Sequence, residues 1–489
     1  MTVRVENPDL SLPPLVRILA GGGDGRLDLD PDTGLNRYHS SPRPSDVLAF
    51  ASSTANDIST AAYAHVERCW ADLGPVLDGA GYAAALERLR GRIRAAYGLD
   101  ETVAVIFAPS GTDLEYVALA CVAGRGSDGT HNILLGADEV GSGCVHSAHG
   151  RYFADRTALG IPTTPGDAVP DLDAVAVELV DIPVRDSEGR VRPSEEIADG
   201  IDAAIGSAKS AGRHTLIHVV HGSKTGLILP SIGDMYRLQS AHDGATSFVV
   251  DACQARITGE ALRDYLALGA IVFVTGSKFM GAPPFSGFAL VPRRVTCQAP
   301  TMPKGLATIF RRGEWPAWWP GADALEPSAN PGLLLRLEAS LFELERFQAL
   351  PADEVRRIVL AFHEAVRQEI VEKSPARRVA PYPPGHRSEA DEHPIEMRTL
   401  STLDLSRING GASFEDSQAW HKALIGHGVR LGQPVKCVRL PDGRWGATLR
   451  IGLAMWQIVE RSGLDDDALT RSFVGDMQRV REALAAVAA

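Results

Sequence analysis

The six cysteines, at positions 69, 121, 144, 253, 297 and 437, include no CxxC pair. Thiols scattered in this way exclude a disulfide scaffold or a zinc ribbon and fit a reducing cytoplasm. Positive charge is in deficit: 49 Lys and Arg face 61 Asp and Glu, a net charge of −12. That balance excludes a general nucleic-acid or anionic-membrane surface. No apolar run reaches the ~18–20 residues that span a bilayer. The opening MTVRVENPDLSL lacks the charged-then-apolar pattern of a signal peptide. Fourteen histidines include no HExxH, and His146 and His149 stand three apart without a carboxylate motif, so no metal site is expected. Gly21–Gly25 (GGGDG) neither follows a strand nor carries a GK[ST] ending and reads as a flexible turn. Asp28, Asp30 and Asp32 alternate without the full calcium-loop pattern.

What is present is a globular balance, 45% hydrophobic and 22% charged, over 489 residues. That length suits two domains, or one large domain with a smaller one. Residues 1–60 are rich in Gly, Pro, Ser and Asp and read as an irregular arm. Leu86, Leu89, Ile93 and Tyr97 recur at helical spacing and predict a helix over 82–98. Short apolar runs then alternate with helical stretches: Thr102–Phe107, Asn132–Gly136, Thr215–His221, Thr246–Val250 and Ile271–Thr275. Continuous apolar strands separated by helices predict a mostly parallel sheet covered on both faces, an α/β architecture. Ser286–Val291 follows too closely for a helical crossover and is expected to run antiparallel. Residues 332–348 read as a long helix, and 374–396, rich in Pro, Arg and His, as a surface loop. The expected division is an N-terminal arm with helices (1–84), a large domain (85–331), and a linking helix with a smaller α+β C-terminal domain (332–489).

In open α/β sheets, ligands bind beyond the carboxyl ends of the strands. Three segments stand at such ends. Ser110-Gly111-Thr112 follows the first strand and enters a helical stretch. Free N–H groups at a helix start suit a phosphate, although Ser and Thr also serve there as ordinary caps. Asp251 ends the run TSFVVD, where a carboxylate needs a partner, either a structural one or a cationic ligand atom. Gln254 lies one helical turn further on. Lys278 sits in Thr275-Gly276-Ser277-Lys278 after IVFVT. A lysine there is either a snorkelling side chain or a partly desolvated amine able to form imines.

A phosphate cup, then an aspartate, then a lysine 27 residues further on, resembles the fold-type I pyridoxal-phosphate (PLP) enzymes. Within them the chain is most similar to the class V aminotransferase group, with the cysteine desulfurases and kynureninase. The resemblance implies that Ser110, Gly111 and Thr112 bind the PLP phosphate, with Thr275 or Ser277 adding a contact. It implies that Asp251 keeps the pyridine nitrogen protonated, that Gln254 bonds the ring hydroxyl, and that Lys278 holds PLP as a Schiff base and moves the substrate α-proton. His221-Gly222-Ser223-Lys224-Thr225-Gly226 resembles the family loop that precedes Asp251. Leu449-Arg450-Ile451 resembles the small-domain arginine that grips the substrate α-carboxylate.

The sequence departs from the family in three places. After the 132–136 strand the family places a ring-stacking aromatic or His; here Glu139, Val140 and Ser142 occupy that neighbourhood, with His146 and His149 later. Glu139 reads either as an acid or base near the cofactor or as a solvated or capping residue. Ser277 replaces the His that often precedes the lysine. No cysteine lies between Cys297 and Cys437, which argues against persulfide chemistry. Arg311–Trp319 (RRGEWPAWW) reads as a packed loop or, by resemblance, as part of a substrate cavity. The expected protein is a cytoplasmic homodimer acting on an amino acid or amine, first as an aminotransferase. A carbon–sulfur or other lyase, a decarboxylase, and a non-catalytic PLP-binding regulator are the alternatives.

Overall fold

A computed structural model describes residues 14–74, 76–137, 139–141, 143–172, 177–382 and 398–489. Its centre is an eight-stranded sheet. Seven strands follow the order β2 (Ala104–Ala108), β9 (Gly287–Val291), β8 (Ile271–Thr275), β7 (Thr246–Asp251), β5 (His214–His221), β3 (Thr130–Leu135) and β4 (Val177–Ile182). The short β6 (Ile228–Leu229) pairs with β5. β9 runs antiparallel to both β2 and β8, as its closeness to β8 requires, and the pairings from β8 to β4 are parallel. Every residue of β2, β3, β5, β8 and β9 is buried, which is why these strands read as unbroken apolar runs. The strand over 102–107 starts two residues later than its apolar run and ends at Ala108. β4 shows no such run, because as an edge strand it buries only its two ends.

The predicted helix over 82–98 is α3 (Gly79–Tyr97); α1 is Pro14–Leu19 and α2 is Thr60–Leu73. The Asp78 carboxylate accepts from Gly81 N at the start of α3, and Gly98, left-handed, closes it by donating to Arg94 and Ala95 carbonyls. Its face of Tyr82, Leu86, Leu89 and Ile93 is fully buried. The helix over Pro331–Gln348 is present as expected.

The irregular arm contains more structure than its composition suggests. Arg336 is wholly buried on the 331–348 helix and donates to the carbonyls of Leu19 (2.8 Å), Gly21 (2.7 Å) and Phe285 (2.7 Å). Gly22 has φ +70°, and a Cβ there would meet Asn330 Oδ1 at 1.9 Å. The GGGDG stretch is therefore a packed turn and not the flexible one expected. It leads into a 3-10 turn over Gly25–Leu27 capped by Asp24. Further on, β1 (Leu48–Phe50) pairs in parallel with β12 (Val429–Leu431), so the arm is built into the C-terminal part of the chain. That part has its own three-stranded sheet, β10 (Arg377–Val379), β11 (Leu400–Asp404) and β13 (Thr448–Gly452). β10 lies inside the stretch expected to be a loop. Residues 383–396 of that stretch, and Ser142, lie outside the described residues. No helix among the described residues is long and apolar enough to cross a membrane.

Candidate active site

The carboxyl ends of β2, β3, β5, β7 and β8 point to one edge of the sheet. A cavity of about 440 Å³ opens there, within the ~300–1,000 Å³ common for small-molecule sites. Ser110, Gly111, Thr112, Asp251, Gln254, Thr275, Ser277, Lys278 and Arg450 all line it. Residues far apart in the chain thus meet at the strand ends, as the α/β rule predicts.

The cup lies between β2 and the helix α4 (Leu114–Val122). A Cβ on Gly111 would meet Thr275 Cγ2 at 3.0 Å, so glycine lets the cup close against β8. The Ser110 hydroxyl donates to Asp113 Oδ2 at 2.5 Å. Burial pushes the Asp113 carboxyl up to about 7.

Lys278 stands three residues beyond β8. Asn56 Nδ2 donates to the carbonyls of Ser277 (2.9 Å) and Lys278 (2.6 Å), and Gly281 N donates to Lys278 O at 2.9 Å. The backbone is thereby fixed while the amine faces the cavity. Thr275 donates to Cys253 O at 2.6 Å and accepts from Ser277 at 3.4 Å. Asp251 accepts from Cys253 N at 2.9 Å. Gln254 is held at both ends of its amide: Nε2 donates to Ser53 O at 3.1 Å, and Oε1 accepts from Arg256 at 2.7 Å. One N–H of that amide is left for a ligand.

Beneath Asp251 lies a pair that the sequence did not suggest. Glu115, in the first turn of α4, approaches His218 Nδ1 to 3.3 Å. Burial, with Asp251 adding repulsion, pushes the Glu115 carboxyl well above the usual carboxylate range. Burial also pushes His218 down to about 3. Both shifts favour the uncharged form of each group. A lone acid inside the apolar stretch LEYVALACV was the available signal.

Glu139 is buried and bonded on several sides. It accepts from Ser223 Oγ (2.6 Å), Thr225 N (3.1 Å) and Thr225 Oγ1 (3.0 Å) and pairs with Arg185 at 3.0 Å. From the cavity wall Glu139 thus anchors the 221–226 loop, the capping role of its two readings. On the ring-stacking segment, Glu139, Val140, Gly141, Gly143, Cys144 and His146 line the cavity. Two cysteines that precede the lysine in the chain, Cys144 and Cys253, line the cavity. Burial, together with nearby carboxylates, holds both thiols well above their ordinary range. A thiol so held is a poor nucleophile. Within this chain none of Arg311–Trp319 lines the cavity; Trp315 and Trp319 are buried with their rings 5.2 Å apart, and Trp318 is exposed.

Arg450, on β13, is 2% exposed and has no carboxylate against its guanidinium among the described residues. It donates to Gln433 O (2.8 Å), Ser53 O (3.3 Å), Lys224 O (3.1 Å) and Thr54 Oγ1 (3.1 Å). Four of five N–H groups are thus engaged and one remains. Lys224, part of the 221–226 loop, also lines the cavity; burial and the Arg450 charge push it down to about 8. Elsewhere, His65, Cys69 and Glu338 bring possible ligand atoms within 4.8 Å of one another. The bonds His65 makes to Cys69 and Glu338 push it up to about 9.

Solved structures share the fold. A NifS-like protein matches at 12% identity over 89% of this chain and 99% of its own, with a TM-score of 0.54. A cysteine desulfurase from Escherichia coli matches at 14% identity over 90% and 95%, with a TM-score of 0.54. An alanine–glyoxylate aminotransferase from Nostoc sp. matches at 14% over 91% and 96%, also at 0.54. This is the fold-type I architecture of PLP enzymes. No family model and no curated protein matches the sequence. At such low identity the fold-type I likeness establishes the architecture, and the chemistry has to be argued from the cavity's own residues.

Proposed function

We propose that the chain is a PLP-dependent enzyme acting on an α-amino acid, and that it transfers the amino group to a 2-oxo acid. The observation that carries this reading is Lys278: an amine presented to a cavity from a clamped strand end, with Asp251 on the neighbouring strand end and a hydroxyl cup beside them. The donor set fits the cofactor. Ser110 and Thr112 with the start of α4 suit a phosphate, Asp251 suits a protonated pyridine nitrogen, and the remaining N–H of Gln254 suits the ring hydroxyl. When bound, PLP supplies an electron sink for the α-carbon of an amino acid. Lys278 holds the cofactor covalently and afterwards is the base within reach of the α-proton. Arg450, buried without a carboxylate partner, favours an anionic substrate group. The raised thiols of Cys144 and Cys253 speak against a persulfide-forming enzyme.

The direct test is borohydride reduction of the purified yellow protein followed by peptide mapping. The label is expected on Lys278. A label elsewhere, or none after PLP is supplied, removes the reading. Product analysis by mass, with amino acids in the presence and absence of 2-oxo acids, then separates transfer from elimination or decarboxylation.

Arg450→Lys is expected to lower kcat/KM toward an amino acid by ~10-fold or more, since a charged hydrogen bond is worth ~1.5–3 kcal/mol and lysine cannot reproduce the guanidinium fork. PLP content should be unchanged. Unchanged kinetics would place the carboxylate elsewhere, and loss of folding would show that the carbonyl contacts of Arg450 are its main role.

A further inference from the structure

Nothing in the sequence singles out Arg26, yet it reaches the cup. Its Nη2 lies 3.2 Å from Ser110 Oγ and its Nη1 lies 3.2 Å from Thr112 Oγ1. We propose that Arg26, delivered by the N-terminal arm, is the cation that binds the phosphate of the cofactor. The proposal rests on the PLP reading above.

Three features carry it. First, the guanidinium is placed before any ligand arrives. It stands between two rings, with its central carbon 4.9 Å from the Phe153 centroid and 4.8 Å from that of Phe285. Asp24 holds it from Nε (2.9 Å) and Nη2 (2.7 Å) while also accepting from Arg26 N at 2.9 Å. A group ordered in advance loses little further freedom on binding. Second, its contacts in the cup are exchangeable. Charge-assisted N–H···O bonds run at about 2.7–2.9 Å, so 3.2 Å to neutral hydroxyls is long, and a second N–H on Nη1 has no acceptor among the described residues. A phosphate between Ser110 and Thr112 offers stronger acceptors at the same place. Third, the arm is anchored at its root. Arg336 and Asn330 hold the carbonyls of Leu19, Gly21 and Gly22, which fixes the turn that carries Arg26. Asp113 and Asp24 are the acids beside the cup. Asp24 is ion-paired with Arg26, and burial raises the Asp113 carboxyl, which weakens their repulsion of a dianion.

The test compares two ligands. The cofactor-free full-length chain is titrated with PLP and with pyridoxal, which lacks the phosphate, and the visible absorbance of the lysine adduct is followed. Arg26→Met is expected to weaken PLP ~10–100-fold, the range of one charged hydrogen bond, and to leave pyridoxal affinity within about 3-fold. Arg26→Lys should recover part of the loss, because it keeps the charge without the fork. Equal losses for both ligands, or no loss for either, would overturn the proposal, as would a raised KM for the amino acid with PLP affinity intact. If Arg26→Met does not fold, Arg26→Lys decides the matter: a loss confined to PLP supports the proposal and an equal loss for both ligands overturns it. If the wild-type protein takes up neither PLP nor pyridoxal, it is the cofactor reading that fails.

Discussion

Lys278→Ala should leave a folded protein that retains no cofactor after borohydride reduction and turns over ~10³-fold more slowly or worse, the combined loss of a covalent anchor and a positioned base. The fold should survive, because Asn56 and Gly281 hold the backbone of residues 277–278 through carbonyls that alanine keeps. Circular dichroism and the melting temperature check this. Lys224 is the necessary control, since it faces the same cavity and its lowered pKa makes it a competing amine. Lys224→Ala should keep the label on Lys278. If the label and the activity instead follow Lys224, the chemistry has been assigned to the wrong lysine.

For Asp251→Asn, turnover is expected to fall ~10²–10³-fold, the scale of removing one preorganised electrostatic group. PLP should still bind, because the cup and Lys278 are untouched. Glu115 cannot take over. Losing Asp251 removes one cause of its raised pKa, but the larger cause is burial, which the substitution leaves in place. Burial thus still disfavours a compensating charge on Glu115. Wild-type turnover in Asp251→Asn would reduce Asp251 to a cap for the Cys253 N–H, the hydrogen bond it accepts at 2.9 Å. Absorbance titration of PLP and steady-state kinetics on the same preparation separate the two outcomes.

Much of this site was legible in the sequence because each piece is local. A strand buried on both faces is an apolar run whatever it packs against. The residue that follows it is at a strand end, and parallel strand ends share one edge. Ser110–Thr112, Asp251 and Lys278 could be placed at strand ends on those grounds, while their roles came from the family resemblance of their order; the helices read over 82–98 and 332–348 are present at 79–97 and 331–348. β4 could not, since an edge strand need not be apolar.

What escaped the sequence are the pairings across long separations. Glu139 looked like a free acid until Arg185, Ser223 and Thr225 closed around it, 46 to 86 residues away. Arg26 looked like an arm residue until a turn anchored by Arg336, 315 residues from Gly21, placed it on the cup. The order of strands and helices along the chain, and which residue types stand at each strand end, are properties of the linear chain and need no coordinates. Which charges meet at those ends is settled by the folded arrangement, because burial and Coulomb energy depend on distances between groups that the chain places hundreds of residues apart.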